Sequence, residues 1–239
     1  MIKSVFEKFI SRYNLAGNCE SVTYISSNNT LKSRAISDDK NVLVEVTAHN
    51  VGLAEGEYSI FDTQKLRSLL GVLGDSITSS VNKNGNIATS IDFTDDNTII
   101  TYVLSDKSVI PPVPDMKTLP VFELTLTLDD KFGDAFVKGK SALKDVDTFT
   151  IKSSTKQGLI DVILGYSSNN TNRVKIQVKP DAPVVLGAID FSAKYFKEIL
   201  VANKDAKTAV LKVSSKGIAK VEFVFDDMNT TYYLVQIKP

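Results

Sequence analysis

Ser59-Ile60-Phe61-Asp62-Thr63-Gln64-Lys65-Leu66-Arg67-Ser68-Leu69-Leu70 returns 130 residues later as Ile189-Asp190-Phe191-Ser192-Ala193-Lys194-Tyr195-Phe196-Lys197-Glu198-Ile199-Leu200. Phe61 answers Phe191, Leu66 answers Phe196, and Leu69-Leu70 answer Ile199-Leu200. With one residue inserted the echo runs on: Ile87 to Ile218, Asp95-Asp96 to Asp226-Asp227, Tyr102 to Tyr233. Each copy reads as a short strand, a capping residue (Asp62 or Ser192), an amphipathic helix and then alternating strands. A period of about half the 239-residue chain is too long for a solenoid repeat and marks a duplicated domain.

Working outward, Val5, Phe6, Phe9, Ile10 and Tyr13 form one stripe and predict an opening helix. Strand signals follow over 20–26, 31–36, 42–46 and 57–61. A helix over 62–73 comes next, with Gly74 just past its end, and then strands over 77–81, 87–93 and 99–104. The second half replays the order. A strand over 121–128 opens it, and a helix over 129–143 carries Phe132, Ala135, Phe136 and Leu143 on one face. Strands over 148–153, 159–164 and 173–178 follow, the last two parted by a turn at 167–172. A short strand over 188–191, the helix capped by Ser192, and strands over 209–213, 218–225 and 230–237 complete it. The fold class is α+β, with two helices covering one side of an antiparallel sheet in each half. The halves are 1–106 and 121–239. Between them 107–120 carries Pro111, Pro112, Pro114 and Pro120 among Val109, Ile110, Val113 and Met116, a stiff and partly apolar connector.

Composition removes several classes of function. One histidine, His49, leaves no second imidazole for a triad or a histidine metal cluster, and Cys19 is the single cysteine. The paired acids Asp38-Asp39, Asp95-Asp96, Asp129-Asp130 and Asp226-Asp227 fall at turns or a helix start, where Asp is favoured for backbone reasons. No glycine-rich phosphate loop follows a strand. The expectation is a non-enzymatic protein without metal or other cofactor. With no apolar run of membrane-spanning length and no uncharged leader, it is also expected to be soluble and cytoplasmic.

Formal charge balances at 28 basic against 28 acidic residues, yet it is sorted. The four predicted helices carry five more bases than acids, so the remainder carries five more acids than bases. Acids sit mostly at helix starts, as caps and dipole partners. Lysine on the outer face of an amphipathic helix is also the commonest solvated residue, so the pattern alone fits a plain surface as well.

The element order, with its proline-bearing connector, resembles that of the DNA sliding clamps. The stretch from Glu57-Tyr58-Ser59-Ile60-Phe61-Asp62 through Leu69-Leu70-Gly71-Val72-Leu73-Gly74 to Asn84-Gly85-Asn86-Ile87 looks closest to the trimeric clamps of tailed phages. More distantly it is similar to eukaryotic proliferating cell nuclear antigen. The resemblance implies a homotrimeric ring around duplex DNA, held without base contacts, that tethers a DNA polymerase and is opened by an ATP-dependent clamp loader. The pore would be lined by Lys8, Arg12, Lys65, Arg67, Lys138, Lys140, Lys194, Lys197 and Lys204. Subunits would join through Ile99, Thr101 and Val103 on one edge and Val174, Ile176 and Val178 on the other. A partner pocket is expected on the face away from the helices. Ile110 and Val113 would form its lid, Val42 one wall, and Tyr232 and Leu234 the other, on the reading that Tyr233, Val235 and Ile237 face the core. A β-rich structural protein of the virion or cell surface, with no role on DNA, is the alternative reading of the same composition. A sequence-specific DNA binder has less support, since no helix is dense in Arg, Asn and Gln.

Overall fold

The computed structural model describes residues 3–116, 118–166 and 171–238. The chain forms two compact units, one of Met1–Asp38, Leu43–Pro114 and Asp226–Thr230, the other of Asp39–Val42, Asp115–Phe225 and Thr231–Pro239.

The first unit runs α1 (Lys3–Asn14), β1 (Val22–Ser27), β2 (Thr30–Ile36), β3 (Val42–His49), β4 (Gly56–Ile60), α2 (Thr63–Leu70), β5 (Thr78–Asn84), β6 (Ile87–Thr94) and β7 (Ile99–Val103). Its strands pair antiparallel in the orders β4-β1-β2-β3 and β5-β6-β7. The predicted stripe of α1 is the core: Phe6, Phe9, Ile10 and Tyr13 are fully buried. Phe6 packs on Tyr24 of β1 and on Phe93 of β6, with ring centroids 6.0 and 5.4 Å away, so one helix covers both sheets. Polar atoms at this depth are satisfied: the Tyr13 hydroxyl lies 2.6 Å from that of Tyr24 and 3.0 Å from Thr63 Oγ1, and Thr63 donates to Glu20 O. Burial pushes both phenols above their ordinary range.

Helix α2 starts where predicted, with Asp62 accepting from the Lys65 N–H. It ends earlier: Gly71, not Gly74, is its C-cap. Gly85, at φ 61°, turns β5 into β6, as the Asn-Gly-Asn-Ile segment leads one to expect.

The second unit adds β8 (Leu124–Thr127) before α3 (Asp130–Ala142). Then come β9 (Thr148–Ser153), β10 (Ile160–Leu164), β11 (Val174–Val178), β12 (Ile189–Ser192), α4 (Ala193–Ala202), β13 (Thr208–Ser214), β14 (Ile218–Val224) and β15 (Met228–Val235). The turn expected over 167–172 falls mostly outside the described residues. Strand orders are β11-β10-β9-β12 and β15-β14-β13-β8. Asp129 caps α3 and Ser192 caps α4, each accepting from the N–H three residues on. The core repeats the aromatic solution of the first unit: Phe136 and Phe196 lie 4.8 Å apart and both pack on Phe149 of β9. Ala135, expected on this face, is exposed; the buried row of α3 is Phe132, Phe136 and Gly139. Gly139 lets the helix sit close, since a Cβ there would stand 3.0 Å from Leu164 Cδ1 and 3.2 Å from Val174 Cγ1.

Each unit thus holds two helices and two antiparallel sheets, α1 and α2 answering α3 and α4, β1–β7 answering β9–β15. The fold class is α+β, and β8 has no counterpart among the described residues of the first unit.

Candidate functional site

The helices carry ten cationic residues against four acidic ones, so the rest of the balanced chain carries six more acids than bases. In the first unit Lys8, Lys65 and Arg67 are exposed, and Lys8 and Arg67 share a polar cleft of about 650 Å³ with Glu7, Gln64 and Ser68. In the second unit Lys194 is exposed, and Lys204 is exposed just past the end of α4. Lys138 pairs with Asp134 at 3.2 Å, and the half-buried Lys197 stands 3.9 Å from Glu198. Lys140 donates to the carbonyls of Leu143 and Lys144, closing the C-terminus of its own helix, as a cation there is favoured to do.

β7 and β11 are among the strands that end their sheets: among the described residues β7 hydrogen-bonds only to β6, and β11 only to β10. On β7, Ile99, Thr101 and Val103 are exposed while Ile100 and Tyr102 are buried. On β11, Val174, Ile176 and Val178 are half-buried on the side of α3, and Lys175 and Gln177 are exposed. Exposed strand edges with apolar residues are templates for pairing.

The first unit also holds an apolar groove of about 680 Å³ on the sheet face away from α1. Its floor comes from outward positions of three strands: Thr23 and Ile25 on β1, Lys32 and Arg34 on β2, Glu45 and Thr47 on β3. The segment Ile110-Pro111-Pro112-Val113 forms its lip, following a single 3₁₀ turn over Lys107–Val109. Two ion pairs hold the rim. Arg34 Nε donates to Glu45 at 3.0 Å while its Nη2 donates to Pro114 O at 2.7 Å, and Lys107 lies 2.6 Å from Glu57.

No protein-family model matches the chain, and no curated protein sequence does. Among solved structures, the Proliferating Cellular Nuclear Antigen of Entamoeba histolytica matches with a TM-score of 0.73 at 12% identity, over 99% of this chain and 96% of that one.

The chain has a sliding-clamp fold.

On that fold several expected residues stand elsewhere than the sequence placed them. Arg12 is 1% exposed, with Nη1 donating to Met228 Sδ at 2.7 Å, so it presents no cation to solvent. It follows Phe9 by three residues and so lies on the buried stripe. Of the pocket residues, Ile110 and Val113 line the groove, whereas Val42, Tyr232 and Leu234 are fully buried. The parity of the last strand is the reverse of the expectation. Tyr232 points inward, its hydroxyl accepting from Asn203 Nδ2 at 2.8 Å, and Val235 is exposed. Tyr233 is covered on the other face, where Lys220 Nζ stands 6.0 Å from its ring.

The sequence reading missed Ile25, Lys32, Arg34 and Glu45 as groove residues. Its available signal was Ile25, an apolar side chain at an outward position of a strand whose other outward residues are Thr23 and Ser27. Among the described residues no group of three or more His, Cys, Asp and Glu is placed to hold a metal ion, and no helix is long and apolar enough to cross a membrane. Cys19 is buried.

Proposed function

We propose that this chain is a DNA sliding clamp: copies join edge to edge into a closed homotrimeric ring that encircles duplex DNA and tethers a DNA polymerase. The observation that carries the reading is a clamp fold running the whole chain together with the sorting of cations onto its helices. A ring needs no base contacts. Mobile lysine–phosphate contacts favour sliding because none fixes a register. The tether has no chemistry of its own to perform, and ring opening falls to a separate ATP-dependent loader. The solved structure named above is a Proliferating Cellular Nuclear Antigen, and the likeness to phage clamps in residue identity rests on the segment 57–87.

Pairing of β7 with β11 of the next copy supplies the ring contact. The duplication supports this choice. Asp226–Thr230, which include the first residues of β15, belong to the first unit, where the His49 N–H at the end of β3 donates to Asp227 O at 2.8 Å. In the repeat, β7 holds the place of β15 and β11 that of β3. Head-to-tail pairing of this kind closes a ring when the rotation per subunit permits. The groove beside the connector is the docking site for the polymerase.

Light scattering tests the assembly: a trimer is expected, and Ile176→Pro, which removes a ladder donor on β11, should give monomers with intact far-UV circular dichroism. Topology is tested without a loader, by threading the protein onto linear duplex with free ends and then with blocked ends. Retention that needs free ends supports encirclement. Equal binding to end-blocked duplex, or a wild-type protein that stays monomeric at high concentration, returns the chain to the structural-protein alternative.

A further inference from the structure

The chemistry of the partner is written in the charge accounts of the groove; this inference rests on the reading of the groove as the docking site. Arg34 is paired with Glu45 and Lys107 with Glu57. Lys32 is exposed in the middle of the floor, and its side chain makes no ion pair or hydrogen bond among the described residues. The groove therefore presents one uncompensated cation among apolar surface from Ile25, Ile110, Pro111, Pro112 and Val113.

An all-apolar segment laid over this floor would strip water from the Lys32 ammonium and return at most backbone carbonyls, leaving the charge unpaired at a cost that grows with burial. A carboxylate in the occupant removes that cost and rejects competitors lacking it. Ile25 and Lys32 are direct cross-strand partners, with outward side chains about 5 Å apart at Cβ. Two side chains on the same face of an extended peptide are about 6.6 Å apart, at positions i and i+2. That is longer than the cross-strand distance by about 1.6 Å, a difference that lysine's flexible four-carbon stem absorbs.

We infer that the groove takes an extended partner segment in which an apolar side chain seats on Ile25 and an Asp or Glu two residues away pairs with Lys32. The apolar residue supplies most of the affinity, and Lys32 sets which apolar segments are accepted.

The test is selection of a random peptide library, displayed away from its own C-terminus, on full-length wild-type protein and on the Lys32→Glu and Ile25→Ser variants. Wild-type protein should enrich an apolar residue with Asp or Glu two positions away; K32E should enrich Lys or Arg at that second position; I25S should enrich neither. The best wild-type peptide, synthesised with an amidated C-terminus, should lose about tenfold or more in affinity for K32E by fluorescence anisotropy. Three results overturn the inference: no enrichment on wild-type protein, acidic enrichment that K32E leaves unchanged, or binding only to peptides with a free terminal carboxylate. The variants' masses by light scattering report on ring assembly separately, so a failure of the groove and a failure of the ring are told apart.

Discussion

Phe61 and Phe191 stand at the same place in the two copies of the repeat, yet Phe61 is 54% exposed and Phe191 is fully buried. The sheet faces turned away from the helices diverge in the same sense. On β1–β3 the outward residues leave an apolar groove with a half-exposed Ile25 and a cation lacking a partner. On β9–β11 the middle strand of the equivalent face is covered, although Lys175 and Gln177 on β11 stay exposed. Asp161 and Ile163 are 3% and 4% exposed, Asp161 accepts from Gln177 at 2.9 Å and sits 3.6 Å from Lys175, and Thr150 donates to Asp190. The Ser153 N–H donates to Leu186 O, drawing the segment before β12 onto the edge of the face. One architecture thus has two surfaces: on β9–β11 the buried Asp161 is met from within the unit, while on β1–β3 the Lys32 ammonium has no partner among the described residues. On the proposed reading, partner binding sits on one copy of a duplicated scaffold, where fold alone does not distinguish the two.

The sharpest way to break this contrast is to truncate the matched phenylalanines. Phe191→Ala should cost about 3–5 kcal/mol in chemical denaturation, because it opens a cavity beside Phe149. Phe61→Ala should stay within about 0.5 kcal/mol, as exposed substitutions do. Similar losses at the two sites would mean that Phe61 is covered in the working protein, and the comparison would fail.

Removing one acid from each outward face comes next. Asp161→Ala leaves Lys175 and Gln177 without their buried partner and should cost about 1–3 kcal/mol. Glu45→Ala, in a half-exposed pair, should cost no more than about 1 kcal/mol. Burial alone would raise the Asp161 carboxyl, but hydrogen bonds from Gln177 and Ser154 and the charge of Lys175 outweigh it and hold the group below the usual carboxylate range. A depressed folded-state pKa contributes stability above the unfolded value and loses it as pH falls through the folded one. The gap between wild type and Asp161→Ala should therefore shrink as pH drops below about 4, read by denaturation midpoints across pH. A gap that widens in acid would reverse the assignment.

The helices of the two units extend the comparison to DNA. Lys65 and Arg67 are exposed with no side-chain ion pair among the described residues, whereas Lys138 and Lys140 are engaged with Asp134 and helix-end carbonyls. Changing the first two to alanine should lower the salt dependence of duplex association by about 1–2 in log–log slope, the second two by about 1 or less. Equal changes would put both helix pairs in the same electrostatic role. The smallest effect is expected at Arg34→Ala, which unties the connector at Pro114 and should speed amide exchange over 107–114 while leaving the melting temperature within about 2 °C.

What was legible in the sequence was local or periodic. Asp62, Asp129 and Ser192 cap their helices as read, because a capping side chain reaches only to the N–H three residues on. The stripe of α1 and the repeat itself need no knowledge of distant contacts. Parity of the last strand was not legible, because Tyr232, Tyr233, Leu234 and Val235 are apolar in both phases and period 2 has nothing to choose between. In the observed phase Tyr232 lies in the core, where the Asn203 amide satisfies its hydroxyl.

By itself, then, the sequence determined the duplication, the α+β class, the helix starts and the preference of cations for helices, all properties of neighbours along the chain. Only the tertiary structure decided that Arg12 is sealed beside Met228, 216 residues away, and that Phe61 and Phe191 part company. It also decided that Lys32 alone among the groove's cations lacks a partner, because burial and charge pairing depend on what the rest of the chain brings alongside.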